Sequence, residues 1–198
     1  DCLLSRGLGD VYKRQDIASS QVVLRDLLQI GQRFCLNCSF NGASSENSMN
    51  DYFRDLLFMK GYTEIKDQTR HGLSVNKKDS AEVDILLTKD GKEIAIYEGL
   101  KLSSVSTTYI DTHISKAVVN YNALGISTFI VAYVDVSDFD SFWNRYVSYL
   151  QSYSFPLLVK SPIEVYPYPD AAARVASTIL SRDDYDFPVY FVAFKIPR

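Results

Sequence analysis

Sulfur is scarce in this chain of 198 residues, which holds three cysteines and two methionines, and histidine is just as rare, with two. Three cysteines cannot build a disulfide framework, and Cys35 and Cys38 form an isolated C-x-x-C with no second pair to close a structural zinc site. His71 and His113 stand at no finger spacing and do not supply the missing ligands. The cysteine pair is therefore expected to pack as two small apolar residues on one helical face. No apolar run approaches the roughly 20 residues that a membrane-crossing helix needs, and the opening segment lacks the apolar stretch of a secretory signal. A soluble, cytoplasmic protein without a membrane partner is expected. Nine glycines and six prolines are too few for a collagen-like or low-complexity chain. A formal net charge of -3 argues against coating nucleic acid by bulk electrostatics, but it leaves room for a local basic stripe. There is no Walker loop, no dinucleotide fingerprint and no Ser-His-Asp or Cys-His pattern above chance.

What is present begins with an oddity. Residues 5–15 read SRGLGDVYKRQ, and back-translation of their end resembles the transposase mosaic end used in sequencing libraries. Residues 1–15 are thus expected to be an adapter-derived, non-native segment, set aside from fold reasoning. Residues 16–44 are expected to form an N-terminal helical segment and residues 45–198 the main domain.

Periodicity supplies the elements. From Ser20 to about Leu36, Val22, Val23, Leu27, Leu28, Ile30, Phe34 and Cys35 recur near helical spacing. Ser45 can cap a second helix whose stripe is Met49, Tyr52, Phe53, Leu56 and Leu57, with Gly61 as its left-handed stop. Three strands follow, in YTEIKDQTR, AEVDILL and KEIAIYEGL, and then a helix over Ile110 to Leu124 and the apolar strand TFIVAYV. That crossover implies a parallel return to the same sheet. An aromatic-striped helix in FDSFWNRYVSYL, a strand in LLVKSPIEVY, a helix from Ala171 to Ser181 and a final strand in PVYFVAF complete the expectation. The fold class is α/β, a mixed sheet flanked by helices with a C-terminal strand-helix-strand extension.

The chemistry concentrates in AEVDILLTKDGKEIAIYEGLKL. If Lys89-Asp90-Gly91 forms a three-residue loop, Glu82 faces Glu98, Asp84 faces Ile96, and all three carboxylates share one face of the hairpin. Carboxylates gathered among Val, Ile and Leu repel one another and are costly to desolvate. A divalent cation relieves that cost, and oxygen-only ligation points to Mg²⁺ or Mn²⁺. A two-residue Asp90-Gly91 turn would instead put Asp84 and Glu98 on opposite faces. The same residues also fit an ordinary solvated sheet face.

The element order from about Ser45 to Val134, αβββαβ, resembles that of the PD-(D/E)xK, or restriction-endonuclease-like, nuclease superfamily. SENSMNDYFRDLL, DQTRHGLS, AEVDILL, YEGLKL and NYNALG look like a bacterial branch whose metal-site strand ends in an EAL-like motif. The resemblance implies DNA as substrate, Asp84 and Glu98 as ligands of Mg²⁺, and Glu46 to complete the metal shell or orient a water. It also implies a place in anti-phage defence and an NTPase module on a longer parent chain. The slot two residues after Glu98, where the family has lysine, holds Leu100. Lys101 is one place further and points away from Glu98 in a regular strand, unless a bulge at Gly99 restores it. Lys116, Arg70 and Lys77 are the other candidates for that cation. A nuclease fold that has lost catalysis and binds nucleic acid or a partner domain is the competing reading, and whether a homo-oligomer forms is left open.

Between Lys60 and Lys78 the chain is locally basic. This stretch can offer Gln68, Arg70 and Ser74, with Lys77 and Lys78, to DNA phosphate oxygens, or it can be an ordinary solvated loop. If it binds DNA, reversing the charge of Lys77 and Lys78 is expected to weaken binding and flatten its salt dependence. A filter-binding titration with an unchanged salt slope would rule out direct phosphate contact.

Overall fold

A strand covered on both faces must be apolar throughout, and Ser127–Val134 (STFIVAYV) is buried at every position. The computed structural model, which describes residues 3–64, 84–167 and 170–197, places this strand, β4, near the middle of a mixed eight-stranded sheet. The other strands are β1 (Thr63–Glu64), β2 (Ile85–Lys89), β3 (Lys92–Leu102), β5 (Leu158–Val159), β6 (Glu164–Tyr166), β7 (Ala173–Arg182) and β8 (Tyr185–Lys195). Their order is β1-β2-β3-β4-β8-β7-β5, with β6 also on β7. The central trio β3, β4 and β8 is parallel, while β1, β2 and β7 join it antiparallel.

Side-chain alternation sends each strand into two cores. On one side, α1 (Leu3–Cys35) and α2 (Glu46–Met59) bury Val23, Leu27, Ile30, Phe34, Met49, Phe53 and Leu57 against Ile85, Leu87, Tyr97, Phe129, Val131 and Tyr133. On the other, α3 (Thr107–Ser115), the π-helical turn Lys116–Asn120 that continues it, and α4 (Phe139–Ser152) cover Ile96, Leu100, Leu102, Ile130, Ala132 and Val134. The N-terminal helix thus shares a core with the sheet. Ser45 caps α2 as expected, accepting from the Ser48 N–H at 3.1 Å, and Gly61 adopts φ +88° just beyond its end. Among the described residues no helix is long and apolar enough to cross a membrane.

The C-terminal third departs from expectation. The segment expected to be a helix from Ala171 to Ser181 is strand β7, paired with β8 at every position from Ala173 to Arg182. The run Ala171–Ala173 favours a helix, but Val175, Thr178 and Ile179 are β-branched, and a ten-residue ladder onto a buried strand settles the segment as a strand. Asp183 and Asp184, both at positive φ, form the two-residue turn between β7 and β8, a signal the helical reading passed over. The strand expected in LLVKSPIEVY is broken into β5 and β6, with Pro162 between them. The helix expected over Ile110 to Leu124 starts earlier and loosens into a π turn after Ser115. The two cysteines do not share a helical face: α1 ends at Cys35, and Cys38 is exposed beyond it. Burial pushes the Cys35 thiol up to about 12, and its Sγ lies 3.6 Å from the Ala172 carbonyl.

A buried polar knot joins α1 to the end of α2. Asp26, 8% exposed, accepts from the Tyr62 hydroxyl at 2.7 Å and from Lys60 Nζ at 3.1 Å. Burial opposes its ionisation, but the bonds from Tyr62 and Lys60 and the lysine charge outweigh it and hold the carboxyl below its ordinary value. A depressed folded-state pKa means that this stability is present above the unfolded value of about 3.9 and is lost as pH falls through the folded one. Asp26→Asn is expected to cost about 1–3 kcal/mol at pH 7 in urea unfolding, with the gap to wild type narrowing on acidification.

Candidate functional site

The hairpin β2–β3 decides which acids meet. Asp90 (φ +52°) and Gly91 (φ +73°) make a two-residue turn, with Lys89 opposite Lys92, so the three-residue loop expected from sequence is not formed. Such a turn alone would separate Asp84 from Glu98. The ladder, however, shifts between Leu87 and Thr88: Thr88 pairs with Glu93 and Leu87 with Ala95, leaving Ile94 as the extra residue of a β-bulge. Beyond it Leu86 faces Ile96 and Ile85 faces Tyr97. One step further along that register Asp84 stands across from Glu98. The expected gathering of acids on the hairpin therefore holds for Asp84 and Glu98, reached through a different turn and a bulge.

Glu98 is 2% exposed, on the face that packs against α3. His113 Nδ1 of α3 is hydrogen-bonded to Glu98 Oε1 at 2.7 Å, while Glu98 Oε2 is buried without a hydrogen-bond partner. Burial pushes Glu98 up to about 7. The His113 bond opposes the shift, the Asp84 charge adds to it, and the charges of His113 and Lys116 oppose it. Asp84 is also raised, first by burial and then by the Glu46 charge, although the Gly99 N–H donates to its Oδ2 at 2.8 Å and Asn50 adds a side-chain bond. Glu46, in the first turn of α2, accepts at Oε2 from the Lys101 N–H (2.7 Å) and the Tyr109 hydroxyl (2.6 Å).

Gly99 makes this convergence possible. A Cβ there would stand 2.0 Å from Asn50 Oδ1, so a side chain on β3 would push α2 and Asn50 away. Asn50 is braced from behind: the buried Tyr133 hydroxyl donates to its Oδ1 at 2.8 Å, and the Tyr97 and Tyr133 hydroxyls are hydrogen-bonded to each other.

Lys101 does not join the acids. Strand β3 runs against β4 in unbroken register from Ala95 to Leu102, so no bulge at Gly99 turns the lysine round. Its amine instead donates to the Ser44 carbonyl at 2.8 Å and to that of Gly42, in the loop before α2. Leu100, in the slot next to the acids, is fully buried in the core. Lys116, at the start of the π turn, is a lysine whose charge reaches Glu98, after that of His113. Glu82, Gln68, Arg70, His71, Ser74, Lys77 and Lys78 lie outside the described residues. Sequence reasoning missed Tyr109 and Asn50, whereas the three-residue spacing of His113 and Lys116 on the crossover helix lets them share a face that lines the cleft next to Glu98 or forms an ordinary polar helix face, and the structure sets His113 against Glu98. The signal available was the four-residue spacing of Tyr109 and His113, which puts both on the face of α3 turned toward Glu98.

The assembled donors are carboxylate oxygens, the ligand type of a hard divalent cation. Among the described residues no three His, Cys, Asp or Glu side chains form a ready metal-ligand group. Mg²⁺ needs no such cage, since it keeps several waters and is often held by one or two carboxylates with substrate phosphate. The buried, unpartnered Glu98 Oε2 beside Asp84 fits that demand. Comparison with protein-family models, curated proteins and solved structures gives no match for this chain.

A buried carboxylate with an unpartnered oxygen costs stability. Glu98→Gln keeps the shape and removes the buried charge. In chelator at pH 8 it is expected to be more stable than wild type by about 1–3 kcal/mol in urea unfolding. A loss of stability would show that the charge itself holds the fold.

Proposed function

We propose that this chain is a divalent-metal-dependent DNA endonuclease domain of the restriction-endonuclease-like kind, hydrolysing phosphodiesters. The observation that carries the reading is the buried Glu98 Oε2, unpartnered and set across the hairpin from Asp84. The order α2, β1, β2, β3, α3, β4, with a parallel return from β3 to β4, supports the nuclease architecture read from sequence. Asp84 and Glu98 would hold Mg²⁺ or Mn²⁺, and Glu46, tied to Lys101 N–H and Tyr109, would stand at the margin to orient a water. The bound ion supplies charge neutralisation at the phosphate and an activated water. The chain itself contributes placement: Gly99 N–H and Asn50 hold Asp84, His113 holds Glu98, and the apolar wall of Leu86, Ile96 and Leu100 limits access of bulk water from the core side. In the role that the family gives to a strand lysine, Lys116 is the candidate. The sequence resemblance extends this reading to an effector domain of a bacterial anti-phage protein with an NTPase module on the parent chain.

One observation favours a second reading. With Leu100 in the lysine slot and the Lys101 amine engaged by Gly42 and Ser44, a nuclease fold that only binds nucleic acid or a partner domain is the alternative. Incubating the protein with plasmid or linear DNA and Mg²⁺ or Mn²⁺ separates the two. Metal-dependent nicking or cleavage that Asp84→Ala and Glu98→Ala abolish, and that Lys116→Ala slows by about 100-fold, supports the enzyme. DNA binding with no cleavage under any divalent ion supports the binding module.

A further inference from the structure

One helix face holds two acids that come from different parts of the chain. Tyr109 and His113 are one turn apart on α3, and their rings meet edge-on with centroids 4.4 Å apart. Tyr109 donates its hydroxyl to Glu46 Oε2, from the first turn of α2, at 2.6 Å. His113 meets Glu98 Oε1, from the middle of β3, at 2.7 Å. Each bond occupies one oxygen of its carboxylate, and on Glu98 the other, Oε2, is left buried and unpartnered. A carboxylate with one oxygen tied to a fixed donor cannot rotate that oxygen away, so the remaining lone pairs keep one direction.

We infer that Tyr109 and His113 act as a paired positioning device, which fixes the rotamers of Glu46 and Glu98 and so presents Glu98 Oε2 to a divalent cation. The inference rests on the metal-site reading above and adds the residues that orient the ligands. Neither side chain touches the ion or the substrate. The edge-on ring contact couples the two: displacing the imidazole removes the surface on which the phenol ring rests, so Glu46 and Glu98 are set together. Partners of ligating groups of this kind are worth about 10–100-fold in metal affinity.

Calorimetric titration of the full chain with Mn²⁺, without DNA, tests this. Wild type is expected to bind and Glu98→Gln to lose binding. His113→Leu is expected to weaken affinity by about 10–100-fold and Tyr109→Phe, which keeps the ring and deletes only the hydroxyl, by about 10-fold. His113→Asn, whose amide can donate from near the Nδ1 position, is expected to recover most of the loss. Thermal unfolding in chelator identifies any variant that fails to fold, and Tyr109→Phe and His113→Asn preserve enough packing to carry the test if His113→Leu does not. Wild-type affinity in both Tyr109→Phe and a folded His113→Leu, with Glu98→Gln still silent, overturns the positioning role and leaves the metal site standing. No Mn²⁺ binding by wild type overturns the metal site and this inference together.

Discussion

A carboxylate in the interior of a sheet is the constraint around which this molecule is organised. Glu98 sits between Tyr97 and Gly99 on a strand whose other residues from Ala95 to Leu100 are buried, and its desolvation is the largest influence on its own charge. An ionised group in that setting needs a donor, a counter-charge or a cation. His113 provides the donor on one oxygen and Lys116 a counter-charge nearby, while the second oxygen has neither. Asp84 is raised first by its own burial and then by the Glu46 charge, and its charge in turn adds to the shift of Glu98.

Support for the acids comes from both faces of the sheet. On the α3 side stand His113 and Tyr109. On the α2 side the fully buried Tyr97 and Tyr133 carry a hydrogen-bonded chain to Asn50, which in turn bonds Asp84. Gly99 is the gap through which that second set reaches the strand, and it also lends its N–H to Asp84. The acids are thereby fixed by side chains from two helices and a neighbouring strand, all anchored in well-packed cores. Rigid elements of this kind hold a site more closely than loops do.

The helices α1, α2 and α4, the hairpin β2–β3 and the apolar parallel strands were legible because their periodicity is unmixed: Met49, Phe53 and Leu57 repeat at helical spacing, and FIVAYV is apolar without a break. The segment ARVASTILSR was not, because the alanine run Ala171–Ala173 at its start favours a helix while its pairing partner, β8, lies beyond a turn written in two aspartates. At the site, Asp84 and Glu98 were legible as acids embedded in strands. Their relation to each other was not, since it depends on a bulge at Ile94 that leaves no composition signal. Lys101 illustrates the same limit from the other side: its charge is plain in the sequence, but the carbonyls of Gly42 and Ser44 that hold it are nearly sixty residues away.

The bulge at Ile94 makes the hairpin a matter of parity. A two-residue turn and one extra residue on β3 together put Asp84 and Glu98 on one face, as a three-residue turn with no bulge would, although there Asp84 would face Ile96 instead of Glu98. Loss of Ile94 itself would leave a regular two-residue hairpin with the same two acids across from each other, whereas a residue lost or gained elsewhere in the strands, with turn and bulge kept, would turn one acid toward the opposite core. The effect of a length change in this hairpin therefore depends on where it falls, and the bulge at Ile94 is a place where the count can change without parting the acids.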